Sequence, residues 1–291
     1  GTNNCAFGLT GLGLNTTGSN NSAFGSYALS NNVGGTGNSA FGTNALTLNT
    51  NSNNSAFGPN SLSKNTSGSN NVAFGDGLIA NTTGSYNTAC GNSSLNLITT
   101  ENYNTAIGYL AGVGFTGFTG TTCIGYNSQV LGSNQVQLGG SNTNTYYYGT
   151  ISARSDLRDK AMVRDTILGL DFINLLHPVD YKWNYREDYT TTTINEDGQI
   201  VTIVSENDGS KTRTRYHHGL IAQEVEKIIQ DTGIDFGGFQ NHTIKGGKDV
   251  YTIGYEELIA PLIKATQELT NKFSTLENKV SILENKRDTL M

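Results

Sequence analysis

The sequence predicts a mainly β repeat fibre followed by an α+β domain that ends in a coiled coil. Three observations carry this. A five-residue motif recurs through the first 125 residues, the composition changes abruptly near residue 155, and apolar residues repeat at steps of three and four over 259–290.

The repeats come first along the chain. The motif reads NCAFG ending at Gly8, NSAFG at Gly25, Gly42 and Gly58, NVAFG at Gly75, NTACG at Gly91, NTAIG at Gly108 and TTCIG at Gly125, so each step is 16 or 17 residues. A second short apolar element follows each motif, as in Tyr27-Ala28-Leu29 or Asn44-Ala45-Leu46, and then an Asn/Thr/Gly turn. Each unit over residues 1–126 is therefore read as strand, turn, strand, turn. Asn and Gly tolerate positive φ, which lets successive coils turn tightly. The apolar pairs, such as Ala23 with Phe24 or Ala56 with Phe57, sit among small polar residues, so one unit buries few side chains and stacking and trimerisation have to supply the rest. Low-complexity composition by itself suggests disorder, but eight phased apolar pairs argue against it.

Residues 127–154 read as a neck. Val130, Val136 and Leu138 keep a strand-like alternation, as does Tyr146-Tyr147-Tyr148. Only Lys64, Asp76, Glu101 and Arg154 are charged among the first 154 residues, and every other charge follows. That contrast marks a domain boundary.

Residues 155–255 read as α plus β. Apolar positions Ile167, Leu168, Leu170, Phe172, Ile173, Leu175 and Leu176 predict a helix over 160–176, closed by Pro178. Val179 to Trp183 reads as a strand. Residues 189–216 alternate Thr, Ile and Val around the turn signals Asp197-Gly198 and Asp208-Gly209. A second helix is expected from Leu220 through Ile229, and a short strand over Asp249 to Ile253. Residues 256–291 form the last element: Ile259, Thr266, Phe273, Val280 and Arg287 alternate with Leu262, Leu269, Leu276, Leu283 and Leu290 as the a and d positions of a coiled coil, with Pro261 in the first turn or kinking the start.

Composition excludes several functions. A net charge of −6 without a Lys/Arg cluster argues against a nucleic-acid partner. There is neither an apolar run of membrane-spanning length nor a basic-then-apolar leader, so no membrane insertion and no signal peptide are expected. Cys5, Cys90 and Cys123 follow no metal-ligand spacing; Cys90 takes the Phe slot of its motif and Cys123 the Ala slot, which favours packing roles over a metal site. No phosphate-cradling Gly loop with its Lys occurs, and no cofactor is expected.

The chemistry concentrates in SDLRDK, Ser155 to Lys160, at the boundary itself. A serine needs an adjacent base, and a lysine serves if desolvation keeps it neutral. On a continuous helix Lys160 would lie about 140° around from Ser155, so a turn between them, or a lysine from a neighbouring chain, is required. The alternative is that Ser155 caps a helix whose solvated first turn holds Arg158, Asp159 and Lys160.

Two resemblances sharpen these readings. The NSxAxG-like motif of residues 1–126 resembles the head repeats of trimeric autotransporter adhesins and similar repeats in phage tail fibres, which implies a trimeric left-handed β-roll. The back half, with SDLRDK, LGLDFINLLHPVDYKW (Leu168 to Trp183), HHGLIAQEVE (His217 to Glu226) and EELIAPLIKATQEL opening the terminal coil, resembles the intramolecular chaperone domain of phage tail spikes and fibres, a self-cleaving serine peptidase group. That resemblance implies a homotrimer of a viral fibre, a trimeric terminal coiled coil, and a chaperone that guides folding of the β fibre before cutting itself off. It makes Ser155 the nucleophile, Lys160 the general base and Arg154–Ser155 the scissile bond. Asp156 and Arg158 complete the motif, and His217, His218, Gln223 and Glu224 are supporting candidates that either tune the site or serve packing. It also implies a location in the virion, release of the chaperone in the host cytoplasm during assembly, and a host-surface receptor or glycan as the fibre's partner. The competing reading is a non-catalytic trimeric adhesin or receptor-binding fibre with a C-terminal trimerisation clamp. A cellular adhesin is disfavoured because no barrel-forming strands follow the coiled coil.

Overall fold

The computed structural model describes residues 1–112, 116–140, 143–146, 148–194, 200–245 and 248–290. The chain folds into two compact units, Gly1–Thr150 with His242–Lys248, and Ile151–Asn241 with Asp249–Met291.

The first unit is a β-solenoid. Among the described residues nine three-residue strands, β1 (Cys5–Phe7), β2 (Ser22–Phe24), β3 (Ser39–Phe41), β4 (Ser55–Phe57), β5 (Val72–Phe74), β6 (Thr88–Cys90), β7 (Thr105–Ile107), β8 (Thr122–Ile124) and β9 (Val136–Leu138), stack in sequence order as one parallel sheet. The register places motif on motif, Ala23 on Ala40 on Ala56, up to Ala106 on Cys123. From Ala23 to Cys123 this column is fully buried, and burial pushes the Cys123 thiol pKa up.

The second apolar element of each coil is a turn, not the expected strand. Leu29, Leu46, Leu62, Leu78 and Leu95 are fully buried yet lie at φ between 48° and 54°. A left-handed leucine costs about 1–2 kcal/mol, and here it aims the side chain inward while its N–H still reaches the next coil, as from Leu29 to the Ala45 carbonyl at 3.1 Å. Glycine is required beside each strand: at Gly25 φ is 141°, and a Cβ would lie 2.5 Å from the Gly42 carbonyl oxygen.

Asparagine supplies the remaining interior. Asn21, Asn38, Asn54, Asn71, Asn87 and Asn104 are fully buried, and each side-chain oxygen accepts the backbone N–H of the next member, with Thr121 ending the row. Each side-chain amide donates to a carbonyl of the following coil, as from Asn71 to Gly84 at 2.7 Å. A second row runs Asn15, Asn32, Asn49, Asn65, Asn81 through amide-to-amide bonds. It stops where Ile98 follows, leaving the Asn81 Oδ1 buried without a donor. Glu101 follows this break. Its carboxylate accepts N–H bonds from Thr99, Thr100 and Gly117, at 2.6, 2.8 and 2.5 Å. Burial raises its pKa, but these backbone donors outweigh burial and hold the carboxyl below its ordinary range.

The motif's phenylalanines face outward. Phe24, Phe41, Phe57 and Phe74 form a ladder with ring centroids 4.9, 5.0 and 4.8 Å apart, and the register continues it through Cys90, Ile107, Ile124 and Leu138. Phe74 is 47% exposed, and Cys90 is exposed as well. Past β9, Tyr146 and Tyr148 belong to no strand, and Tyr147 lies outside the described residues.

Among the described residues the second unit has three α-helices and three antiparallel strand pairs: α1 (Leu170–Leu175), β10 (Val179–Tyr181), β11 (Thr190–Ile194), β12 (Ile200–Val204), β13 (His217–Gly219), α2 (Ala222–Thr232), β14 (Phe239–Asn241), β15 (Tyr251–Ile253) and α3 (Ile259–Leu290), with β10 on β13, β11 on β12 and β14 on β15. Phe172, Val225, Phe236 and Leu258 are its core. The helix expected over 160–176 is confined to α1, because Gly169 leaves helical geometry and the Glu268 carboxylate of α3 accepts the Leu170 N–H at 2.8 Å, which starts the helix there. The Asp197-Gly198 signal lies outside the described residues. Asp208-Gly209 makes a local turn after β12, with the Asp208 carboxylate accepting the Ser210 N–H at 2.9 Å.

Pro261 sits in the first turn of α3, buried with Ala265 against the unit's core side. From Leu269 to Leu290 every residue is exposed, including the a/d residues Leu269, Phe273, Leu276, Val280 and Leu283.

Two outcomes test this account. Asn71→Ala removes an acceptor from the Asn87 N–H and a donor from the Gly84 carbonyl, at about 1–3 kcal/mol per orphaned buried group, and is expected to lower the melting temperature of the solenoid in calorimetry. For Glu101 the folded pKa lies below the unfolded value, so its contribution is present above the ordinary carboxylate range and lost as pH falls through the folded pKa. Thermal melts over an acid pH series are expected to show a smaller loss of stability in Glu101→Gln than in wild type.

Candidate active site

Ser155 begins a tight reversal of an otherwise extended, exposed stretch. Asp156 (φ −69°, ψ 133°) caps a single 3₁₀ turn, Leu157–Asp159, its carboxylate accepting the Arg158 N–H at 2.9 Å. The same carboxylate takes the Arg158 guanidinium, through Oδ2 at 2.6 Å. The Arg158 side chain first, and then its N–H, hold the Asp156 carboxyl below the usual range. The cap is thus Asp156 and not Ser155, which leaves the serine hydroxyl outside the capping network.

The turn closes when the Lys160 N–H bonds the Leu157 carbonyl at 3.1 Å and Lys160 becomes extended again. Its side chain then runs back along the turn. Lys160 Nζ lies 2.7 Å from Ser155 Oγ within the same chain. Arg154, before the serine, pairs with Asp159 at 3.5 Å across the turn. An amine at hydrogen-bond distance from a hydroxyl is the geometry of a base beside a nucleophile. Both side chains are solvent-exposed, whereas a lysine works as a base only where it is shielded from water. The flanking apolar residues are exposed too: Leu157 by 70%, Met162 by 96%, Val163 by 65% and Ile167 by 72%.

The supporting candidates lie on other elements. His217 and His218 are on β13; His218 Nδ1 meets Asp180 Oδ1 of β10 at 2.5 Å, and the His217 ring lies 6.0 Å from that of Tyr181. Gln223 and Glu224 occupy the first turn of α2, and Glu224 pairs with His177 Nδ1 at 3.1 Å. Among the described residues no hydrogen bond or ion pair joins these four to Ser155 or Lys160. His218 and Glu224 instead make separate pairs with Asp180 and His177, two residues of the HPVDYKW stretch that carry no signal of their own in the sequence.

Residues 155–234 match the chaperone of endosialidase family. The match opens on Ser155 and closes just past α2, so it contains Ser155, Lys160, His217, His218 and Glu224 but neither the solenoid nor α3. The family is one of self-cleaving peptidase domains. A chaperone-of-endosialidase domain behind a β-solenoid fits a phage tail fibre-like protein. No curated protein and no solved structure matches the chain.

Proposed function

We propose that this is a chain of a trimeric viral tail fibre or spike whose C-terminal part guides trimerisation and folding of the solenoid and then separates by autoproteolysis between Arg154 and Ser155. The observation that carries the reading is the 2.7 Å contact of Lys160 Nζ with Ser155 Oγ at the first residue of the chaperone match.

In the reaction Lys160 takes the hydroxyl proton of Ser155, and Oγ attacks the Arg154 carbonyl carbon. The C–N bond to Ser155 breaks, the Ser155 nitrogen leaves as an amine carrying the transferred proton, and an ester joins Arg154 to Oγ. Water then hydrolyses the ester, freeing an Arg154 carboxylate and restoring the serine hydroxyl. Asp156 and Arg158 are positioning residues that shape the turn. Host receptor or glycan contacts fall to the solenoid, whose exposed side carries the stacked pairs Tyr86–Tyr103 and Tyr109–Tyr126.

Assembly supplies what the single chain lacks. The Phe24–Phe74 ladder and the a/d seam of α3 are apolar stripes open to water, and three copies packed along them would bury both. Cover from neighbouring copies over Leu157, Met162 and Val163 would also dry the Lys160 amine, so the cut waits for the trimer. Once the template is gone, the fibre cannot retrace its assembly path, and its persistence becomes kinetic. The exposure of the dyad favours one second reading, a fibre whose C-terminal part is a trimerisation clamp without catalysis.

Intact mass under denaturing conditions separates the two. Wild type is expected to give pieces ending at Arg154 and beginning at Ser155, whose masses sum to the chain plus one water, while Ser155→Ala and Lys160→Ala stay whole. A wild-type trimer that stays whole establishes the clamp. Leu269→Asp with Leu276→Asp, placed in the coiled-coil seam away from the dyad, is expected to sediment as a monomer and to cleave at least ~100-fold more slowly; a monomer cutting at the wild-type rate rejects the dependence on assembly.

A further inference from the structure

The last coil of a solenoid has no further coil to stack on, so its turn needs other partners for its backbone groups. Among the described residues β9 pairs with β8 alone. Gln135 does part of this work. Its carbonyl accepts the Thr122 N–H at 2.9 Å, and its side-chain oxygen accepts the N–H groups of Leu131 and Gly132 at 2.8 and 3.0 Å. The side-chain amide of Gln135 then points to a residue 107 positions later, His242, whose Nδ1 lies 3.2 Å away.

Two more bonds join the same turn to the same distant segment. The Lys248 N–H donates to the Leu131 carbonyl at 2.8 Å, and Lys248 Nζ reaches Gln129 Oε1 at 3.0 Å. The segment between His242 and Lys248 is the connection from β14 to β15, whose Phe239 and Ile253 pack on the core of Phe172 and Val225. His242 and Lys248 thus belong with the solenoid unit, whereas β14 and β15 belong to the other one. Burial lowers the pKa of His242, in keeping with a neutral ring whose Nδ1 accepts from Gln135.

We propose that the β14–β15 connection, through His242 and Lys248, is the end cap of the solenoid, a polar surface of the C-terminal part that fixes the turn of residues 129–135 in the last coil. Resting on the autoproteolysis reading, the proposal adds that this pairing outlives the backbone cut and delays the separation of the two pieces, which it holds without a covalent link until the cap lets go.

Hydrogen exchange on the full Ser155→Ala chain tests the cap whether or not the cut occurs. Adding His242→Ala and Lys248→Ala is expected to speed exchange of the Leu131 and Gly132 amides at least ten-fold, with β3–β6 and α2 unchanged. Gln129→Ala, which alters nothing in the connection, is expected to speed exchange of the Lys248 amide and of the same turn. Unchanged protection of Leu131 and Gly132 in both variants overturns the cap. For the second clause, wild-type pieces identified by mass are expected to co-elute in native gel filtration, and those of the His242→Ala/Lys248→Ala chain to separate; wild-type pieces that separate at once overturn that clause while leaving both the cap and the cut standing.

Discussion

Buried asparagine side chains that reach from one coil to the next are the constraint on which the solenoid depends. Each amide of the Asn21–Asn104 row meets a donor and an acceptor on the adjoining coil, so these hydrogen bonds offset the desolvation of that row. The row also sets register. A coil shifted by one residue would lose its side-chain partners and turn Ala23-type positions outward at the same moment. Small side chains, Ala from Ala23 to Ala106 and then Cys123, fill the buried strand column, and the bulky motif residue is left to the outside.

That arrangement gives the molecule its unusual surface. The residues that would be core in a compact domain, Phe24, Phe41, Phe57 and Phe74, form an external ladder, and α3 carries a second unpartnered seam. A single chain therefore completes its hydrogen bonding before it completes its burial. The Ser155–Lys160 turn shares this condition: its geometry is set locally by Asp156 and Arg158, and its side chains stand in water.

Repeats and the heptad seam were legible in the sequence because their signals recur, and β1–β8 and α3 lie where the phasing places them. The second element of each coil was misread as a strand, since an apolar pair such as Ala28-Leu29 looks alike whether φ is negative or, as at Leu29, 50°. Helical spacing over 160–176 could not show that Gly169 and the Glu268 carboxylate begin the helix ten residues late. At the site, Ser155 and Lys160 were readable as residue types and through family resemblance, but the turn that joins them depends on an Asp156–Arg158 pair two residues apart that has no periodic signature. The contacts of Gln135 and Lys248 span more than a hundred residues, and no local pattern announces them.

Among the described residues each solenoid strand pairs only with its immediate neighbours, and most coils repeat the same strand, left-handed leucine and asparagine bridge. Length is consequently a free variable of this architecture. Gaining or losing one unit of 16 or 17 residues would move the two ends of the solenoid apart or together by about 4.8 Å, so duplication and deletion of units can tune its reach while the Ser155–Lys160 turn and the terminal helix stay as they are.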